Sequence, residues 1–142
     1  YNCLPHKLNK IGMSKAPIVG GNLSLLAHSI GSNAELDCDG KLLFIEDVGE
    51  QLYNVERMLL QLKRAGKLKK LKGLIVGGMT DMKDTAIPFG KSLEEIICEH
   101  IKPHNIPLVF GFPAGHINDN RALVFGKKIK LEVLKRVSVL YF

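Results

Sequence analysis

An alternation of apolar runs between residues 41 and 76 constrains the fold most strongly. Lys41–Ile45 and Gly73–Val76 are short apolar runs of strand length. Between them, apolar residues recur in steps of three and four, the spacing of one buried helix face: Leu52, Val55, Leu59 and Leu62. Gly66 then supplies a helix stop. The segment predicts a strand, a helix and a strand, with parallel strands joined by a right-handed crossover.

The same pattern repeats further along the chain. Ser92 and Glu95 have the spacing of a capping box that opens a second amphipathic helix. The apolar run Ile106–Phe110 follows and predicts a third parallel strand. A chain of 142 residues buries roughly 70% of its unfolded surface on folding. We therefore expect one domain over residues 1–142.

Turn signals predict further elements at both ends of this core. Asn22 is expected to cap a short helix that runs through Ile30. Asp39-Gly40 is expected to turn Leu36–Cys38 back on the following strand as a hairpin. Gly126-Lys127 is expected to turn a second hairpin, between Ala122–Phe125 and the alternating run that follows. The predicted fold class is α/β, a mixed sheet with a parallel βαβ core plus antiparallel hairpins.

The chain is basic, with 20 Lys and Arg against 14 Asp and Glu, a net charge of +6. The excess lies in two clusters: Lys63, Arg64, Lys67, Lys69, Lys70 and Lys72, and then Lys127, Lys128, Lys130, Lys135 and Arg136. A nucleic-acid surface would combine such charge with aromatic side chains for base stacking. The first cluster has none and lies where a helix ends, so we interpret it as solvated surface and predict no nucleic-acid partner.

The number and spacing of the cysteines indicate the redox environment of the protein. Cys3, Cys38 and Cys98 are odd in number and far apart, which is typical of a reduced cytoplasmic protein rather than a disulfide scaffold or a zinc module. No apolar run approaches the roughly 18 residues of a membrane helix, and no signal peptide is recognisable. We predict a cytoplasmic protein without a membrane partner.

Candidate catalytic residues follow the predicted parallel strands, where α/β proteins place their ligands. Glu46 and Asp47 end the first strand, and Thr80 and Asp81 come after the second. The third is followed by a glycine-rich segment that ends in His116. A glutamate and a histidine on one edge could form a pair in which the carboxylate orients the imidazole as a base.

Other interpretations of these residues are open. Asp47 could cap the helix that follows it, and a histidine in a glycine-rich loop is often only a surface residue. The other histidines lack the spacing of a helical metal site, so no metal is predicted. A nucleophile elbow of the form G-x-S-x-G is absent. Ser24 lies in the segment most similar to such an elbow, but it is expected in the first turn of the short helix after Asn22.

Three motifs together resemble one protein family. They are Gly20-Gly21-Asn22-Leu23-Ser24-Leu25-Leu26, then Leu43-Phe44-Ile45-Glu46-Asp47-Val48-Gly49-Glu50 with Tyr53 and Arg57, then Gly111-Phe112-Pro113-Ala114-Gly115-His116-Ile117 with Asp119-Asn120. In this order they resemble the C-terminal half of the LD-carboxypeptidases, serine peptidases of the muramoyltetrapeptide carboxypeptidase type related to the microcin C self-immunity peptidases. Ser32 and Glu56 depart conservatively from the family's usual threonine and aspartate.

The resemblance implies a Ser-Glu-His triad in which Glu46 and His116 are the catalytic residues of this chain and the serine lies in an N-terminal domain. It also implies a swivelling β/β/α-like fold, no cofactor, removal of a terminal D-alanine from murein tetrapeptides in cell-wall recycling, and a possible homodimer. Asn22, in the Gly-Gly-Asn-Leu motif, is a candidate substrate-binding residue. Because the chain starts at Tyr1 and lacks the nucleophile domain, it is expected to be an inactive fragment whose partner is that domain.

A second interpretation comes from a different functional class. The chain could be a non-catalytic binding or regulatory module, in which Glu46 and His116 only order loops and the basic clusters contact an acidic partner. The two interpretations differ in geometry. A catalytic pair requires carboxylate and imidazole within hydrogen-bonding distance at an accessible surface, whereas a binding module allows them to be apart or fully buried.

Overall fold

The computed structural model describes residues Tyr1–Phe142 as one seven-stranded mixed sheet with three helices on one face. The strands are β1 (Asn2–Cys3), β2 (Gly12–Asn22), β3 (Leu42–Val48), β4 (Gly73–Thr80), β5 (Leu108–Val109), β6 (Lys128–Val133) and β7 (Ser138–Tyr141). The helices are α1 (Leu23–His28), α2 (Leu52–Arg64) and α3 (Leu93–Ile101). The spatial order of the strands is β1-β7-β6-β2-β3-β4-β5.

The sheet has a parallel half and an antiparallel half, which meet at β2. Strands β2, β3, β4 and β5 are parallel, and the predicted βαβ unit is β3-α2-β4. Strands β6, β7 and β1 continue the sheet in antiparallel pairs. The predicted α/β class, with a parallel βαβ core joined to antiparallel strands, is therefore confirmed.

The predicted N-terminal caps of two helices, α3 and α1, are confirmed. The Ser92 hydroxyl accepts from the Glu95 amide while the Glu95 carboxylate accepts from the Ser92 amide, the complete capping box of α3. The Asn22 side chain accepts from the Leu25 amide and caps α1. The α1 helix ends at His28, two residues before the predicted end.

The two predicted hairpins are wrong. Leu36–Cys38 is irregular chain, because both edges of β3 are already occupied by β2 and β4. Ala122–Phe125 is also irregular, and β6 instead lies between β2 and β7. In both cases the turn signal was local, whereas the observed pairing includes strands more distant in the sequence.

Strand β2 was not predicted, although it joins the two halves of the sheet. Pro17, Gly20 and Gly21 interrupt its apolar pattern. Gly20 is required by a close approach: a Cβ there would lie 1.9 Å from the carbonyl oxygen of Phe44 on the neighbouring strand. The residue that obscures the strand signal is thus the one that lets β2 and β3 pair.

Two apolar clusters occupy the two faces of the sheet. Alternate residues of β3 divide between them: Leu43 and Ile45 pack beneath the helices, and Leu42 and Phe44 pack on the opposite face. The opposite face is covered by the segment after β5, through Phe112 and Ala114. This alternation determines where the polar residues at the end of β3 point.

Part of the basic surface is paired with acidic side chains. Lys67 forms an ion pair with Glu35, and Lys70 pairs with Asp39 at 2.6 Å. In the second cluster, Lys130 lies 3.3 Å from Glu132.

All three cysteines are free thiols, and burial raises the pKa of Cys3 to about 11. None of the helices is long and apolar enough to cross a bilayer.

Candidate active site

The side chains of Glu46 and Asp47, at the carboxyl end of β3, point to opposite faces of the sheet. Glu46 follows Ile45 on the strand and points to the face covered by the segment after β5. Asp47 points to the helical face, where its oxygens accept from the Ser24 amide and from the Asn22 side chain. Both residues are buried: taken as whole residues, Glu46 is 6% exposed and Asp47 is 3% exposed.

Glu46 and His116 are in direct contact, although 70 residues separate them in the sequence. The Oε2 atom of Glu46 lies 2.6 Å from Nδ1 of His116. The carboxylate side chain is 8% exposed, whereas the imidazole is 51% exposed. Because Nδ1 faces a carboxylate, it carries the proton, and the lone pair of the neutral ring lies on Nε2. The pair thus presents an oriented base at an accessible surface.

The loop that carries His116 is anchored to the end of β4. The Gly78 amide donates to the Ala114 carbonyl at 2.8 Å, and the Thr80 hydroxyl donates to the His116 carbonyl at 3.0 Å. The Asn120 side chain accepts from the Gly115 amide at 3.0 Å. Thr80 and Asn120 therefore position the loop, roles that could not be assigned from the sequence.

Gly115 makes the Glu46–His116 contact possible. Its φ is +105°, and a Cβ at this position would lie 2.8 to 2.9 Å from Cβ, Cγ and Oε2 of Glu46. Such distances are shorter than van der Waals contact, so a side chain here would push Glu46 and the His116 loop apart.

We therefore expect Gly115→Ala to break the hydrogen bond between Glu46 and His116, because the added Cβ occupies the space of the Glu46 side chain. NMR chemical shifts of the His116 ring nitrogens measure this, with circular dichroism as a folding check. The matched control is Gly31→Ala, which has φ +83° but open space around its Cβ and should leave these shifts unchanged. Equal changes in both variants would attribute the effect to backbone strain rather than to the contact with Glu46.

Asp47 does not cap the helix that follows it, contrary to the alternative considered from the sequence. Helix α2 begins after Gln51, which makes no side-chain capping bond. Asp47 instead accepts from the Ser24 amide at 3.0 Å and from Asn22 Nδ2 at 2.7 Å. It stabilises the start of α1, where the dipole favours a negative charge.

Asn22 links this carboxylate to the helix. Its Oδ1 caps α1, its Nδ2 donates to Asp47, and its backbone pairs in register with Glu46 on β3. We expect Asn22→Ala to lower the free energy of unfolding by about 2 kcal/mol, because both the cap and a donor to buried Asp47 are lost. Urea unfolding measures this, with Ser92→Ala, which removes only a cap, as the control at about 1 kcal/mol. An unchanged stability would contradict the capping role.

The remaining candidates lie apart from the pair. Ser24 is in the first turn of α1, as expected, with its hydroxyl near His28. His100 is buried against Glu56, with Nε2 and Oε2 3.2 Å apart. No group of three or more His, Cys, Asp or Glu side chains is arranged to hold a metal ion. A cavity of about 470 Å³ lies between α3 and Leu8 and Lys10, and neither member of the Glu46–His116 pair lines it.

The sequence matches the family model of the LD-carboxypeptidase C-terminal domain over residues 15–131. Two relatives are each 36% identical to it: a probable murein peptide carboxypeptidase of Bacillus subtilis over 129 residues and a murein tetrapeptide carboxypeptidase of Pseudomonas aeruginosa over 116 residues. These alignments cover 91% and 81% of this chain but only 40% and 37% of the relatives. The chain thus spans about 40% of the length of the curated relatives it matches.

Solved structures show the same fold. A muramoyltetrapeptide carboxypeptidase from Oxalobacter formigenes superposes with a TM-score of 0.89 at 33% identity, covering 99% of this chain and 48% of that one. The microcin C7 self-immunity protein in its wild-type apo state superposes with a TM-score of 0.79 at 26% identity, covering 97% of this chain and 40% of that one.

Proposed function

We propose a function from the premise that this chain belongs to the LD-carboxypeptidase family, in which it forms the C-terminal domain. The chain supplies Glu46 and His116 to a Ser-Glu-His triad of a serine-type carboxypeptidase. The nucleophilic serine and the oxyanion-binding amides come from the N-terminal domain, so the chain alone is inactive. The substrate is a murein tetrapeptide, from which the enzyme removes the terminal D-alanine during cell-wall recycling in the cytoplasm.

The chemistry assigned to this chain is proton transfer. Nε2 of His116 accepts the serine proton as the hydroxyl attacks the carbonyl between the L-centre of the diamino acid and D-alanine. The resulting imidazolium then donates a proton to the leaving amine of D-alanine. Throughout the reaction, the Nδ1–H group of His116 donates a hydrogen bond to the Glu46 carboxylate, and the proton stays on the ring. This bond keeps the ring oriented and stabilises its positive charge.

The single observation that carries this proposal is the 2.6 Å contact between a buried carboxylate and a half-exposed imidazole. In a binding module, where Glu46 and His116 would only order loops, no function requires the imidazole to be exposed at the surface. The contact therefore favours the catalytic interpretation over a binding module for an acidic partner.

The choice of a murein peptide rests on the relatives. The two that carry murein in their names are 36% identical to this chain, whereas the microcin C7 self-immunity protein of Escherichia coli is 27% identical. Asn22 is a proposed substrate contact: it lies beside Glu46 in the sheet, and its amide keeps one N–H and one lone pair beyond its bonds to Asp47 and Leu25.

The test is D-alanine release from a murein tetrapeptide by the full-length protein and by the 142-residue chain alone. We expect release by the full-length protein and none by the chain. Failure of the full-length protein to release D-alanine would overturn the proposed substrate or site. Release by the chain alone would show that the nucleophile lies within it, in conflict with the proposed division of the triad.

A further inference from the structure

The register between the parallel strands β3 and β4 shifts by one residue at Glu46. The pairs on either side of the shift are Ile45 with Val76 and Asp47 with Met79. Gly77 and Gly78 of β4 therefore lie opposite the single residue Glu46 of β3, which is the arrangement of a β-bulge. Bulges are rare between parallel strands and are over-represented next to active sites, where they redirect a side chain.

This bulge reverses the faces to which the side chains of β4 point. Before the bulge, Leu74 and Val76 pack in the cluster beneath the helices, as alternate residues of a regular strand do. After the bulge, Met79 packs against that same cluster, although strict alternation from Ile75 would place it on the opposite face. Thr80 consequently points away from the helices, to the face that carries the catalytic pair. Without the extra residue, its side chain would point beneath the helices.

The segment after β5 runs along the end of β4 and forms a short ladder of hydrogen bonds with it. The first two bonds join main-chain groups, the Phe112 amide to the Val76 carbonyl at 3.0 Å and the Gly78 amide to the Ala114 carbonyl at 2.8 Å. The third bond comes from a side chain, since the Thr80 hydroxyl donates to the His116 carbonyl at 3.0 Å. It is the only hydrogen bond that the His116 main chain makes. The position of this main chain thus depends on where Thr80 points.

Glycine at both bulge positions lets the loop lie directly on the strand. A Cβ at Gly77 would lie 2.5 Å from the carbonyl oxygen of Ala114, and a Cβ at Gly78 would lie 2.6 Å from Cγ2 of Ile117. Both distances are far below the roughly 3.5 to 4.0 Å of favourable non-bonded contact. The loop can therefore approach the strand this closely only because both side chains are missing.

We propose that Thr80, directed by the bulge at Gly77 and Gly78, is a positioning residue of the reaction. Its hydroxyl holds the main chain of His116, while Glu46 holds the imidazole ring, so the position of Nε2 depends on both contacts. The inference rests on the proposed function, in which His116 is the base. Because Thr80 acts through the base, its loss should slow the chemical step and leave substrate binding nearly unchanged.

The kinetic test is Thr80→Val in the full-length protein, which replaces the hydroxyl donor by a methyl group. We expect kcat for D-alanine release to fall by about 10- to 100-fold with KM within about twofold, since a displacement of roughly 1 Å costs as much as 100-fold. Thr80→Ser retains the donor and should stay within about threefold of the wild type. The matched control is Thr85→Val, which removes a hydroxyl bond of 2.6 Å to the Ile87 carbonyl in an exposed loop and should leave kcat unchanged.

Equal values of kcat in Thr80→Val and Thr85→Val would overturn the proposal, and so would a Thr80→Ser variant as slow as Thr80→Val. NMR of the full-length protein separates this failure from failure of the proposed function. The Nδ1 signal of His116 should shift in Thr80→Val, because the ring moves relative to Glu46, and should stay in place in Thr85→Val. Such a shift in a protein that releases no D-alanine would refute the proposed function and keep the positioning role. An unchanged His116 signal in Thr80→Val would refute the positioning role.

Discussion

Replacing His116 by alanine in the full-length enzyme is expected to lower kcat/KM for D-alanine release by at least about 10⁴-fold. The imidazole is the only base that the structure orients at the carboxyl edge with a carboxylate behind it. In the proposed mechanism, its loss leaves the serine without an acceptor for its proton and the leaving amine without a donor. Coupled detection of free D-alanine measures the rate.

The matched control is His104→Ala. The His104 side chain makes no hydrogen bond, and the residue lies beyond the end of α3. This variant should retain the wild-type rate within about twofold, as surface substitutions normally do. Comparable activity in His116→Ala and the wild type would remove the histidine from the mechanism.

The Glu46→Gln variant is expected to lower kcat/KM by about 10³- to 10⁴-fold while the protein stays folded. Glutamine has the same shape and fills the same buried space. It lacks the charge that stabilises an imidazolium, and its NH₂ group can donate to Nδ1 and shift the ring to the wrong tautomer. The rate should therefore fall without a matching rise in KM.

Thermal unfolding and kinetics of Glu99→Gln provide the comparison. Glu99 is exposed on α3 and pairs with Lys91 at 2.6 Å, so this substitution removes a surface carboxylate with no access to His116. It should cost less than about 1 kcal/mol and leave kcat/KM unchanged. A similar rate in Glu46→Gln and Glu99→Gln would mean that the buried carboxylate does not act on the imidazole.

The elements that could be predicted from the sequence are those with a strong local signal. Helix α3 has a complete capping box at Ser92, and α2 has an apolar face of helical period that ends before Gly66. The parallel order followed from the alternation of strand and helix. Strand β2 and its pairing with β6 escaped prediction, because Gly20 interrupts the apolar pattern of β2 and the pairing joins residues more than 100 positions apart.

The candidate site was predictable in outline for a different reason. Parallel strands end at one edge, so the residues that follow β3 and β5 were expected to meet there, and Glu46 and His116 do meet. The path of the loop was not predictable, since it depends on the absence of a Cβ at Gly115 and on anchoring by Thr80.

The central claim is that Glu46 acts through His116, and a double-mutant cycle on kcat/KM tests it most directly. The cycle uses Glu46→Gln, His116→Ala and the double variant in the full-length enzyme. Because the two residues are proposed to act as one unit, the double variant should be no slower than His116→Ala alone, within about threefold. If the two losses instead multiplied, the residues would act independently, and the account of the 2.6 Å contact as the working part of a triad would be wrong.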